Sequence, residues 1–362
     1  MKKILNLGLI GPLPPPYGGM ANQANQLYQL LQKEQDVEVY FVQTNKPYPN
    51  PLIAKIKGIR AVVRLISYIG DVYKLTGQVD VIHMLANSGW SWQLFSAPVI
   101  WIAYLRKTPI IINYRGGEAK TYFKKSIKWV APSMNKASVI VVPSGYLKHV
   151  FSEFNFKSQI IANIINLQRF KPLQNKVINY KTPHLIVTRN LEAIYGIAMA
   201  IKAVALVKEQ YPNVSLSIAG SGPQKEELQQ LATDLGLEKN VCFTGKLQPE
   251  EIASLYQSAD IMLNPTTVDN MPNSVLEAMA TGVAIVSTNV GGIPFVVENN
   301  KTAMLVDTND EKAMAENIML LLNNPEKYKN LVENGLLEVQ QYAWGNIKKQ
   351  WVDLYKLLGH RQ

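Results

Sequence analysis

The 362-residue chain has a single cysteine, Cys242, and only four histidines. One thiol excludes a disulfide framework and a cysteine-held zinc site, and four scattered imidazoles leave little for a histidine-rich metal centre. Long hydrophobic runs are also missing. The most apolar stretch, 90–105, is interrupted by Gln93 and Pro98, and a membrane-crossing helix needs about 20 apolar residues. The N-terminus carries two lysines and a short apolar segment but no small-residue cleavage site, so it reads as a first strand rather than a secretory leader. Acidic residues are scarce in the first half. Residues 1–175 hold 21 Lys/Arg against 7 Asp/Glu, a balance of +14, whereas the remainder stands at −4. With 47% hydrophobic and 18% charged residues the chain is too apolar to be disordered. The expectation is a soluble cytoplasmic protein, or one held at the cytoplasmic face of a membrane.

Short β-branched runs alternate with helical periodicity. Residues 4–10, 37–42, 79–84, 109–114 and 138–143 read as strands in the first half. Residues 184–188, 214–219, 241–244, 260–264 and 284–287 read as strands in the second. Helical patterns at 20–33, 197–210, 224–235, 249–258 and 274–281 come between them. Runs of about five apolar residues alternating with helices are buried parallel strands of βαβ units. The Pro/Asn/Lys-rich stretch 170–183 interrupts the rhythm where the charge balance changes. The division is therefore 1–172, 173–341 and a terminal amphipathic helix in 342–362, with Ile347, Trp351, Leu354, Tyr355 and Leu358 on one stripe.

Four places carry candidate chemistry. In GPLPPPYGGM, Gly18 and Gly19 permit close backbone approach ahead of a helix whose free N–H groups attract phosphate; a plain strand-to-helix turn reads equally well. In DNMPNSVLEAMATG, Asp269 and Glu277 lie eight residues apart. Asn273 or Ser274 can cap the helix there, leaving early N–H groups for an anion while Glu277 accepts from hydroxyls of the same ligand. Phosphate plus hydroxyl recognition suits a sugar nucleotide; a capped surface helix is the alternative. Arg189 ends the strand HLIVTR, where a guanidinium can meet a diphosphate or form a salt bridge with Glu192. In NYRGGEA, Tyr114, Arg115 and Glu118 surround a glycine pair that also reads as a turn with an exposed ion pair.

Taken together and in order, LSIAGSGPQKEEL, VCFTGKL, LYQSADIMLNPT, SVLEAMATGVAIVSTNVGGIPFVVENNKTAMLV and YAWGNIKKQWVDLY resemble successive blocks of the retaining glycosyltransferases of family 4. PPPYGG, VVPSGYL and IIANIINLQRFKP extend that resemblance into the first half. It implies the α/β GT-B fold: two facing Rossmann-like, doubly wound parallel-sheet domains, the first binding acceptor and the second donor, with the last helix crossing back to the first. It also implies roles. Glu277 matches the acid that holds the nucleotide ribose, and Asp269 stands where the family usually has a glutamate contacting the donor sugar. Asn270 to Val275, including Asn273 and Ser274, match the segment meeting sugar and phosphate. Gly18 and Gly19 match the glycine loop, Lys246 and Leu247 the base-holding segment, and Arg189 the diphosphate arginine. The family's lysine after that arginine is absent, because Tyr195 precedes Gly196. Arg115-Gly116 replaces a His-Gly turn on the acceptor side.

The resemblance implies transfer of a sugar from a nucleotide diphosphate, UDP by family frequency, to a hydroxyl of a lipid-linked or growing cell-surface glycan. No cofactor is expected, and with no Asp-x-Asp sequence no metal. A nucleotide-sugar-binding protein that has lost catalysis, or an epimerase on the same fold, are the alternatives. No nucleic-acid-binding module is recognisable. The basic surplus instead suggests an anionic membrane contact through Lys55, Lys57, Arg60 and Arg64, which lie between apolar positions at helical spacing.

Overall fold

The computed structural model describes residues 4–15, 18–47, 59–174, 176 and 178–359. The chain forms two compact units, one of residues 1–164 with 344–362 and the other of residues 165–343. The first break falls eight residues before the 172/173 division set out on sequence grounds, and the second two residues after the 341/342 division.

The first unit holds β1 (Leu5–Gly11), β2 (Val37–Gln43), β3 (Val81–Ala86), β4 (Ile110–Tyr114), β5 (Val139–Val142) and β6 (Gln159–Ile160). They form one parallel sheet in the order β2-β1-β3-β4-β5-β6. Its helices are α1 (Gly19–Leu31), α2 (Ile59–Leu75), α3 (Ala97–Leu105), α4 (Ala119–Met134) and α5 (Gly145–Glu153). Successive strand residues face opposite sides. Ile82, Met84 and Ala86 of β3 pack with Tyr68, Val99, Phe123 and Val150 of α2 to α5. Val81 and Leu85 of the same strand pack on the other side with Ala24 and Leu27 of α1. Burial on both faces is why these strands read as near-continuous apolar runs.

The second unit repeats the design with β7 (His184–Thr188), β8 (Ser215–Ala219), β9 (Val241–Gly245), β10 (Ile261–Asn264), β11 (Ala284–Thr288) and β12 (Met304–Val306). Their parallel order is β12-β11-β10-β7-β8-β9. Helices α6 (Ile197–Gln210), α7 (Lys225–Asp234), α8 (Pro249–Ser258), α9 (Asn273–Thr281), α10 (Glu311–Asn323) and α11 (Pro325–Glu338) surround it. β6 and β12 have no counterpart in the sequence reading. Both are short edge strands, too brief to show a period.

The final helix, α12 (Trp344–Gly359), belongs to the first unit. Ile347, Trp351, Leu354, Tyr355 and Leu358 enter the core beside Leu5, Leu7 and Val81. His83, on the α12 side of β3, meets the Tyr355 hydroxyl at 2.7 Å through Nδ1 and the Asn113 amide at 3.0 Å through Nε2. Its ring stacks on Trp351 at 4.4 Å. No described helix is long and apolar enough to cross a membrane.

Candidate functional site

β10 and β7 are neighbours in the second sheet, so the segments leaving them emerge together at the carboxyl edge, where open α/β sheets place ligands. Arg189 follows β7. The loop 265–272 follows β10 and leads into α9. Pro272 occupies the cap position of α9, with no side-chain cap bond. The cap expected from Asn273 or Ser274 is therefore corrected: the proline moves the helix start one residue earlier, and both residues lie inside it. The Ser274 hydroxyl is instead 3.5 Å from Arg189 Nη1. The loop is held by backbone contact, with Gly292 N–H donating to the Asp269 carbonyl at 3.0 Å. A Cβ at Gly292 would overlap the Asn270 carbonyl oxygen.

The Arg189 guanidinium forms an ion pair with the Asp269 carboxylate, and both side chains are largely buried. Glu192, the partner considered from sequence, instead accepts from Asn190 at 3.1 Å. The Tyr195 ring lies beneath the guanidinium, 4.4 Å from its centre. The aromatic face thus supports the cation at the position where the resemblance calls for a lysine. Burial lowers the Arg189 pKa, and the neighbouring Tyr195, Tyr256 and Glu277 partly restore it.

Glu277, one turn into α9, is half-buried. Desolvation pushes its carboxyl up to about 7, against the lowering effects of a Tyr256 hydrogen bond and of Arg189 and Arg169. Tyr256 of α8 is fully buried. Its hydroxyl meets Thr188 Oγ1 at 2.6 Å and donates to the Ser274 carbonyl at 3.1 Å. Burial, with Glu277 close by, holds the Tyr256 pKa well above its usual value. Tyr256 and Thr188 were not singled out in the sequence; their part depends on α8 packing beside α9, which no local pattern announces. The cluster offers a buried cation of partly neutralised charge beside a carboxyl that changes state near neutral pH. That combination can hold a phosphate and hydrogen-bond hydroxyls.

The remaining candidates are dispersed. Asn270 and Val275 are buried and Asn273 is half-buried. Lys246 is exposed and Leu247 half-buried after the edge strand β9, with β8 between β9 and β7. In the first unit Gly18 caps α1 in an extended conformation with open space around its Cα, and Gly19 begins the helix. Neither strain nor crowding requires glycine at 18. Tyr114 is a core ring packed on Phe123 and Phe151, with its hydroxyl 2.6 Å from Ser88 Oγ. Arg115 donates to Asn163 Oδ1 at 2.6 Å, and burial lowers its pKa to about 10. Glu118 is exposed ahead of α4. Lys55 and Lys57 lie outside the described residues, as does the side chain of Arg60; Arg64 is half-buried in α2. Among the described residues no three His, Cys, Asp or Glu side chains gather as a metal site would require.

Residues 169–337 match the family model described as Glycosyl transferases group 1. Over that stretch the chain is similar to the group 1 glycosyl transferases. D-inositol 3-phosphate glycosyltransferase of Corynebacterium urealyticum is 31% identical over 194 residues, covering 52% of this chain and 44% of that one. An uncharacterized glycosyltransferase of Haemophilus influenzae is 29% identical over 197 residues, covering 54% and 55%. The chain spans about half the length of these curated relatives. Among solved structures, sucrose-phosphate synthase of Thermosynechococcus elongatus superposes with a TM-score of 0.77 at 20% identity, over 99% of this chain and 100% of that chain. Anabaena HepE, solved in complex with UDP, gives 0.73 at 17% identity, over 97% and 99%. The fold is GT-B, and Arg189, Asp269 and Glu277 all fall within the matched residues 169–337.

Proposed function

We propose that the protein is a retaining glycosyltransferase of the family 4 type. It takes a nucleotide diphosphate sugar, UDP-linked, and glycosylates a hydroxyl of a lipid-linked or growing cell-surface glycan at the cytoplasmic face of an anionic membrane. The observation that carries this reading is the buried Arg189 guanidinium at the carboxyl edge of the second sheet, with Ser274 and Asp269 at its head and the Glu277 carboxyl nearby. Arg189 and the first N–H groups of α9 receive the diphosphate, and Gly18 and Gly19 offer backbone N–H groups to it. Glu277 accepts from the ribose hydroxyls, and Asp269 with Asn270 to Val275 contacts the transferred sugar. Lys246 and Leu247 hold the base. Arg115 and Glu118 serve the acceptor, and Tyr114 supports them from the core rather than touching it.

The chemistry needs no protein nucleophile. The bond from the anomeric carbon to the phosphate oxygen breaks, the acceptor oxygen bonds to the same face of that carbon, and the acceptor proton passes to the leaving phosphate. Arg189 stabilises the charge gathering on that phosphate, as preorganised donors do, and a cation already in place makes a metal ion unnecessary. A thermal-shift screen of sugar nucleotides, followed by assay of nucleoside diphosphate release with the hit, tests the reading. A stabilising UDP-sugar and acceptor-dependent UDP release are expected. Arg189→Ala should lower turnover by about 100-fold or more, and full activity in that variant would refute the diphosphate role. One observation favours donor binding without transfer: Asp269 already neutralises Arg189 in part, and Tyr195 stands in for a second cation. Saturable donor binding with no release across an acceptor panel would establish that alternative.

A further inference from the structure

The first unit carries an outer surface that the donor site does not use. α2, α3 and α4 cover one face of its sheet, with their inward sides in a single core cluster. Their outward sides are unlike an ordinary solvated surface. Trp129 of α4 is 78% exposed, Leu105 of α3 is 75% exposed, and Trp101, Tyr104, Tyr73 and Ile66 are also exposed. The three helices contain seven Lys/Arg and a single acid, Asp71, which is already paired with Lys46 at 3.2 Å.

Apolar and cationic groups are interleaved there rather than segregated. The Arg106 guanidinium sits 4.4 Å from the Tyr73 ring centre, and Lys136 Nζ sits 4.3 Å from that of Tyr104. Trp101 packs edge-on against Tyr104 at 6.1 Å. Around Trp129, Lys125 and Lys128 are exposed and have no acidic residue on α4 to pair with. Contiguous exposed apolar area marks an interaction site. Amphipathic rings beside unpaired cations match the boundary between headgroups and acyl chains, where Trp and Tyr settle and each Lys or Arg gains from anionic lipid.

We propose that the outer face of α2, α3 and α4 docks on an anionic lipid surface, with Trp101, Tyr104, Leu105 and Trp129 entering the headgroup layer and Lys125, Lys128 and Arg106 engaging lipid phosphates. The seat of membrane contact is then this three-helix face, and the contact does not depend on Lys55 or Lys57. The inference rests on the membrane-side acceptor proposed above for its setting only. Binding to lipid is measured with neither donor nor acceptor.

The test is flotation of the intact chain with phosphatidylcholine vesicles and with vesicles containing phosphatidylglycerol, at low and high salt. The protein should float with the anionic vesicles alone, and high salt should release it. Lys125→Glu with Lys128→Glu should weaken binding by at least about tenfold. Trp129→Ser should weaken it and remove part of the vesicle-induced blue shift in tryptophan emission. Each variant should retain the wild-type melting temperature and the wild-type thermal shift with UDP, so that a lost fold is not read as a lost membrane contact. Three results would overturn the proposal. They are no flotation with anionic vesicles at low salt, equal flotation of wild type and all variants, and binding of dextran sulfate matching that of vesicles and indifferent to Trp129. If UDP produces no shift while flotation follows the pattern above, the donor reading fails and this one stands.

Discussion

Tyr195 shows how one side chain can replace another by a different kind of interaction. A lysine would add a second charge beside Arg189; the tyrosine ring instead stacks under the guanidinium it accompanies. A phenylalanine keeps the ring face and an alanine removes it. Tyr195→Phe should hold stability close to wild type, whereas Tyr195→Ala should cost about 1–2 kcal/mol in urea unfolding and lower turnover as Arg189 loses its support. Equal losses in both variants would assign the effect to the hydroxyl. Glu277 gives the second residue-level expectation. With its carboxyl at about 7, the fraction able to accept two ribose hydroxyls grows as pH rises through neutrality. Donor affinity should therefore increase by about tenfold between roughly pH 6 and pH 8, as titration at a single site dictates. Glu277→Gln should remove that increment while leaving the part due to the nucleotide's own phosphates, and calorimetric binding curves of the two proteins that run parallel across pH would contradict the role.

At the scale of elements, legibility followed burial. β3, β4, β7 and β10 are covered on both faces, so their apolar content announced them within about two residues. β6 and β12 are edge strands of two and three residues with no room for a pattern. Asn273 and Ser274 are good caps by type, but Pro272 holds the cap position of α9 and puts both inside the helix. Arg189, Asp269 and Glu277 could be named from motif order, but their pairing required knowing that β10 lies beside β7. Tyr256 could not be named at all, because it enters from a third element. Glycines separate in the same way. Gly292 lies directly under the Asn270 carbonyl, whereas Gly18 has an extended backbone and open space. Gly292→Ala should therefore displace the loop that carries Asp269, costing about 1–3 kcal/mol of stability, and should weaken donor binding with it. Gly18→Ala should leave the urea midpoint nearly unchanged. A fall in donor affinity in that variant would support the glycine loop as a contact, and unchanged affinity would remove it from the site.

Across the whole molecule the two units carry desolvated titratable groups of opposite sense. In the first, His83 lies fully buried between Tyr355 and Asn113, and desolvation, with Arg115 nearby, lowers its pKa to about 3. Its unfolded value is near 6.5. Below that value the unfolded chain binds a proton that the folded unit refuses, so stability is lost as pH falls from about 6.5 toward 3. In the second unit the sign reverses. Glu277 is raised from 4.5 to about 7, so the unfolded chain loses its proton first, and stability is lost as pH rises from about 4.5 to 7. Each group contributes a slope of about 1.4 kcal/mol per pH unit within its window. The windows overlap between roughly pH 4.5 and 6.5, where acidification should weaken the first unit and strengthen the second. Hydrogen exchange, corrected for intrinsic rates, can follow both in one sample. Protection in β3 and β4 should fall relative to protection in β7 and β10 as pH goes from about 6.5 to 5. Glu277→Gln should flatten the response of the second unit alone. If both units shift together in the variant as in wild type, common surface charge governs the response, and His83 and Glu277 do not.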